Sequence, residues 1–304
     1  MSETIASAPA FWIQPEIQQK ITWRDGDVVV SVPPKSGTTW TMNIVHQLFS
    51  GGTADFRDIY EEVPWIEFVA RPDEPHQEIL DRLDAMPSDR RRAFKTHSAP
   101  PILPYLPAGA KPDVKYVVVF RNPEEALASF WPFIAKHSDE WFDLWGMPRA
   151  GMTRPDFPSF YSEVIAERGM HANGFFGFLN SWWPLRRAAN VLFLHYSAMK
   201  ADHDGSVRKI ARFLEVEPSE EEWPRILEYT SFAWMKAHED KFEATTAGDV
   251  PILQRGAMIR KGQVGSASAD GMTPEIARDL RMVGESLCSE PAALDWFYEG
   301  GMVP

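Results

Sequence analysis

A short apolar run, Asp27-Val-Val-Val-Ser-Val-Pro33, passes through Pro34-Lys-Ser-Gly-Thr-Thr-Trp40 straight into a helical pattern, and few local sequences restrict a fold so tightly. The β-branched run is the mark of a strand buried on both faces. Beyond it, Trp40, Ile44, Val45, Leu48 and Phe49 are spaced to form one apolar helix stripe, and Gly51-Gly52 stands where a C-cap is expected. A strand joined to a helix by a tight turn aims the free N–H groups of the first helical turn at an anion. Gly37 supplies the flexibility and Lys35 a point charge. The hydroxyls of Ser36, Thr38 and Thr39 add donors, and the Trp40 ring can stack on a base. The expectation is a phosphate-binding turn.

It is not the ATPase or GTPase loop. That loop needs Gly-x4-Gly-Lys-Ser/Thr, so that lysine reaches the outer phosphates and the next hydroxyl holds magnesium. Here lysine precedes glycine, with only Ser36 between Lys35 and Gly37. The strand Tyr116-Val-Val-Val-Phe120 runs into Arg121, where such enzymes keep an acidic residue near magnesium. A positively lined site without metal fits better. Further buried strands are read at 92–95, 115–120 and 191–195, the last two followed by helices. Asn122 can cap the first of these, with Pro123 at its opening position and Glu124 and Glu125 at its positive end. Val207, Ile210, Phe213 and Leu214 mark the second. Alternating strands and helices predict an α/β fold with a central parallel sheet flanked by helices. Residues 1–20 are expected to form a flexible N-terminal segment and 21–304 a single domain. The stretches 50–89 and 137–178 leave the sheet as irregular excursions, the usual place for substrate-binding loops.

Composition narrows the partners. Among 304 residues, 43 acidic side chains outweigh 31 basic ones, for a net charge of −12. That argues against nucleic acid, a polyanion or an anionic membrane surface as main partner, and still permits a locally basic pocket. A single cysteine, Cys288, excludes an internal disulfide and a multi-cysteine zinc site. No apolar run reaches the ~18 residues of a membrane span. The opening MSETIASAPAF lacks the basic start and apolar stretch of a signal peptide, so a cytoplasmic location is expected.

From this point the chain resembles the cytosolic sulfotransferase family, through six landmarks in order between residues 34 and 265. Pro34 to Trp40 resembles the family's 5′-phosphosulfate loop. Phe94-Lys-Thr-His97 resembles its catalytic segment, in which the histidine is the general base and the lysine assists. Phe120-Arg-Asn-Pro with Ser129 resembles the 3′-phosphate motif, and Leu194-His-Tyr196 the strand end whose tyrosine lies by the nucleotide. Thr230-Ser-Phe-Ala-Trp-Met235 resembles the segment that touches adenine. Arg260-Lys-Gly262 with Gly265 resembles the loop over the 3′-phosphate. The resemblance implies a P-loop-like three-layer fold and transfer of a sulfuryl group from 3′-phosphoadenosine 5′-phosphosulfate (PAPS) to a small acceptor, leaving adenosine 3′,5′-bisphosphate (PAP), without metal. It implies nucleotide contacts from Lys35 to Trp40, Arg121, Ser129, Tyr196, Thr230, Ser231, Phe232, Met235 and Arg260 to Gly262. Three departures stand out. Gly265 is followed by Ser266 and Ala267 where the family carries an acidic residue and tryptophan, Phe178 replaces an expected histidine, and the family's C-terminal dimer run is not found.

The landmarks also make chemical sense one by one. Arg121, at a strand exit, can make a bidentate phosphate contact. Ser129, about two turns into the next helix, lies within reach of the same phosphate at ~1.5 Å of rise per residue. Lys95 and His97 share one strand face, so a neutral imidazole can accept a hydroxyl proton while Lys95 and Lys35 stabilise charge. Phe130, Trp131, Phe133, Trp141, Phe142, Trp145, Phe175, Phe176 and Phe178 concentrate in one region and serve as core, as an apolar cleft for a lipophilic alcohol or phenol, or as both. Two other readings stay open: a nucleotide-dependent small-molecule kinase, and a catalytically idle nucleotide-binding protein.

Overall fold

The computed structural model describes residues 12–243 and 250–304. Four parallel strands form one sheet: β1 (Asp27–Ser31), β2 (Ala93–Thr96), β3 (Val114–Phe120) and β4 (Val191–His195), in the order β2-β1-β3-β4. All residues of β1, β2 and β3 are buried, as their unbroken apolar character predicts. Alternation divides them between two cores. Val29, Tyr116, Val118 and Phe120 face one, and Val28, Val30, Val117 and Val119 face the other. The first core is aromatic, with Trp182, Trp296 and Phe297 packed against β3 and β4. The second is aliphatic and receives the helix Thr38–Ser50 and the helix His203–Leu214. This is the layered, parallel α/β architecture the sequence predicts.

The chain steps from β1 to β2 on one side and then crosses to β3 on the other. The crevice at the carboxyl ends of β1 and β3 is therefore a topological switch point, where open α/β sheets bind ligands. At the opposite end of the sheet Arg92 donates to both carboxylate oxygens of buried Asp27, at 2.9 and 2.6 Å, tying β2 to β1.

Two expectations change. The N-terminal segment is not loose throughout. Pro15–Lys20 form a 3-10 helix with Ile17 and Gln18 fully buried, so the packed body begins before residue 21, while 1–11 lie outside the described residues. The helix Thr38–Ser50 is also buried around far more than one stripe. Asn43 and Gln47 are inside, their amide N–H groups donating to the carbonyls of Tyr229 (2.9 Å) and Thr53 (2.9 Å). The excursions at 50–89 and 137–178 hold short helices, including two π-helical turns at Tyr161–Ala166 and Ala172–Gly177. Among the described residues no helix is long and apolar enough to cross a membrane.

Candidate active site

All four strand ends open onto one cavity of about 780 Å³. After β1 the turn bends through two left-handed residues, Lys35 (φ 62°) and Gly37 (φ 99°). A Cβ at Gly37 would sit 2.9 Å from the Tyr196 ring, so only glycine fits between the turn and the end of β4. Gly37 is also the N-cap of its helix and offers no side chain to the first-turn N–H groups, which remain available to an anion. Thr38 Oγ1 is buried at the cavity without a hydrogen-bond partner, the condition expected of a hydroxyl that completes its bonding with a ligand. Thr39 and Trp40 line the same wall. Ser36 does not: it is fully buried and its hydroxyl turns back toward the Pro34 carbonyl.

After β3, Arg121 reaches across the crevice. It donates to the carbonyls of Lys35 (3.0 Å) and Gln263 (3.2 Å), pairs with Glu125 at 3.1 Å and lies over the Tyr196 ring. One guanidinium thus fastens the first turn, β4 and the 260–265 loop together. Arg121 and Ser129 line the cavity together, as do Arg260, Lys261 and Gly262. Asp270 accepts from both terminal nitrogens of Arg260, at 2.9 and 2.6 Å, and from Lys261 Nζ at 2.7 Å. Ser231, Phe232, Met235 and Tyr196 complete the nucleotide side. Thr230 departs from the expected role. Its side chain is fully buried and donates to the Ile226 carbonyl at 2.7 Å, while its own carbonyl accepts from Trp40 Nε1 at 2.8 Å. It holds Trp40 in place from behind the cavity wall.

After β2 come Lys95 and His97, both lining the cavity. His97 Nδ1 lies 2.6 Å from the Val32 carbonyl, which can only accept, so Nδ1 carries the proton and Nε2 keeps its lone pair. Burial first, and then the charge of Lys95, hold the imidazole well below its ordinary pKa, so it is neutral near pH 7. Lys95 Nζ sits 2.8 Å from the centre of the Trp65 ring, and burial lowers its pKa well below the usual lysine value against the pull of Glu67. Lys35, over the Phe133 ring at 3.9 Å, is lowered to about 7 by burial and by the like charges of Arg121 and Arg260. Burial thus disfavours the charged form of both amines.

Glu67 was not anticipated. It is fully buried, and one oxygen accepts from Thr96 Oγ1 (2.9 Å) and His97 N (2.6 Å), which fixes the backbone at the end of β2. Its sequence signal is a lone glutamate inside the apolar run Val63-Pro-Trp-Ile-Glu-Phe-Val69, a pattern that announces a buried polar group, and burial raises its pKa above the usual carboxylate value. The apolar end of the cavity divides the predicted aromatic set. Phe130, Phe133 and Trp141 line it, whereas Phe175, Phe176 and Phe178 lie in the core beneath the sheet and Phe142 in a smaller cluster beside Trp141. The rest of that end comes from distant residues: Trp12 against the Trp141 ring (4.4 Å between centroids), Phe68, Met147 and Leu253. His137 also borders it, held neutral by burial with its pKa pushed down to about 4.

A parallel α/β sheet with a helix N-terminus at its switch point, basic side chains on two loops and an apolar annex makes a cavity suited to an anionic ligand beside an apolar one. The sulfotransferase domain family matches residues 25–290. Sulfotransferase 1E1 of Homo sapiens is 30% identical over 244 residues, 80% of this chain and 77% of that protein. Sulfotransferase 1 family member D1 of Mus musculus is 30% identical over 269 residues, 85% and 83% of the two chains. Mouse sulfotransferase SULT7A1, solved with PAP, shares the fold at TM-score 0.67 and 21% identity, over 97% of this chain and 95% of that one. Retinol dehydratase, solved with retinol and PAP, shares it at TM-score 0.62 and 20% identity, over 89% and 83%. The chain belongs to the sulfotransferase family.

Proposed function

We propose that this protein transfers a sulfuryl group from PAPS to the hydroxyl of a small lipophilic or aromatic acceptor, with His97 as general base. The observation that carries the reading is the state of His97: neutral, with Nδ1 committed to the Val32 carbonyl, in a ring that lines the same cavity as the basic and the apolar side chains. The residues fit the donor. The first-turn N–H groups, Thr38 and Lys35 suit the 5′-phosphosulfate, Arg121, Ser129, Arg260 and Lys261 the 3′-phosphate, and Trp40 and Phe232 the base. PAPS supplies an activated sulfuryl group with PAP as its leaving group.

His97 Nε2 takes the acceptor's hydroxyl proton as that oxygen forms its bond to sulfur and the bond from sulfur to the phosphate oxygen breaks. Lys35 and Lys95, whose pKa values are depressed without an anion, regain full charge beside one and stabilise the leaving phosphate and the transferring group. The geometry supplies chiefly alignment and positive charge, which is what such transfers require. The named structures pair PAP with retinol or androsterone in retinol dehydratase, which supports a lipophilic acceptor here. The test is a turnover assay with labelled PAPS against phenols, steroids and aliphatic alcohols. Transfer of label to at least one of them is the expected result. Failure with all of them, together with transfer from ATP in magnesium, would overturn the reading.

A further inference from the structure

We infer that Asp270 is a positioning residue for the donor's 3′-phosphate, a carboxylate that holds Arg260 and Lys261 from behind so that their remaining N–H groups converge on the cavity. The inference rests on the sulfotransferase reading and deepens it. Both cations border the cavity and Asp270 does not. Asp270 takes one N–H from each terminal nitrogen of Arg260 and one from Lys261. That leaves Nε–H and one N–H on each terminal nitrogen of the guanidinium, and two N–H groups on the ammonium.

The carboxylate is itself fixed. It projects from the short turn Ser268–Asp270, whose backbone N–H is shared between the carbonyls of Ser266 (3.2 Å) and Ala267 (3.1 Å). The turn ends at Gly271 (φ 98°), where a Cβ would come within 2.6 Å of Phe157 Cβ in the core. Asp270 is therefore anchored to the body of the protein, and it presents a nearly buried charge to a basic loop that has no regular secondary structure. The loop has other fastenings: Gly265 N donates to Glu125, the Gln263 carbonyl accepts from Arg121, and any side chain at Gly262 would run into the Phe232 ring. None of these orients the two cationic heads. Asp270 alone, among the described residues, pairs with both.

A residue that only neutralised the cations would weaken phosphate binding, and its removal would tighten it. One that aims them does the opposite, because preorganised donors bind a charge without the cost of ordering. Only a ligand with a 3′-phosphate reads the difference. The experiment is calorimetric titration of wild type, Asp270→Asn and Asp270→Glu with PAP and with 5′-AMP, which lacks the 3′-phosphate, alongside thermal unfolding of each variant.

The expected result is that Asp270→Asn lowers the preference for PAP over AMP by about 10-fold, the scale of one well-aimed charge-assisted hydrogen bond, while AMP affinity stays level. Asp270→Glu should recover part of the preference. In turnover, the KM for PAPS should rise with kcat nearly unchanged. An unaltered PAP-to-AMP ratio in Asp270→Asn, tighter PAP binding, or equal loss of both nucleotides with a fall in Tm would each overturn the inference. A wild type that binds PAP no better than AMP would overturn the donor reading and this inference with it.

Discussion

The two halves of the cavity are built on different principles. The nucleotide half hangs on strand ends and on backbone geometry: a left-handed lysine and glycine, uncapped helical N–H groups, and an arginine that bonds to carbonyls of two loops. The apolar half is assembled from side chains that meet across the chain, such as Trp12 on Trp141 and Phe68 and Leu253 at the same wall. The first kind of site tolerates little change at a few positions. The second spreads its contribution over many surfaces, each worth modest amounts and open to repacking.

Where the halves meet, the largest effect is expected. His97→Ala should lose ~10²–10⁴-fold in kcat and leave PAP affinity near wild type, since a general base acts on the transferring proton and not on the nucleotide. The pH dependence sharpens this. A base works only when unprotonated, and the free enzyme holds His97 well below the ordinary histidine value. The profile of kcat/KM for PAPS should therefore be flat downward through ~6.5, the unperturbed imidazole value, and fall only in more acid solution. Loss of rate on acidification centred above that value in wild type, or normal turnover in the alanine variant, would separate His97 from the chemistry.

Within the nucleotide half, Arg121→Ala should weaken PAP binding by ~1.5–3 kcal/mol, the range for a hydrogen bond to a charged group. Calorimetry measures this directly. Acceptor KM should change far less, and a loss of acceptor affinity as large as that for PAP would mean the two halves are not separate devices. The smallest effect belongs to the apolar half. Trp12→Ala removes one apolar wall of the cavity and should raise acceptor KM by no more than ~10-fold, equivalent to ~1.4 kcal/mol. An equal change in PAP affinity would break the comparison from the other side.

The same contrast explains what was legible in the sequence. Turns that need glycine, caps and buried parallel strands are written in contiguous residues, so β1 through β4, the turn at Pro34 to Trp40 and the Arg121 cap region could all be read locally. Side-chain direction within those motifs was harder, and Ser36 and Thr230 turned out to face inward because neighbouring carbonyls hold their hydroxyls. Residues joined only by tertiary packing left no local trace. Trp12 lies in a segment read as loose, and Asp270 is separated in sequence from the cations it serves. The loop's missing acidic residue after Gly265 was visible as a departure, and the fold brings a carboxylate to that loop from Asp270.

Lys35 carries a conflict that reaches beyond this site. Its left-handed backbone is the province of glycine and asparagine, and a longer side chain there costs ~1 kcal/mol. The role proposed for it calls for a long cationic stem over the Phe133 ring, which neither of those residues has. The twenty-letter alphabet contains no residue that satisfies both demands, so robustness and turnover draw this position toward different letters. Selection for a tougher protein and selection for a faster one would diverge here first.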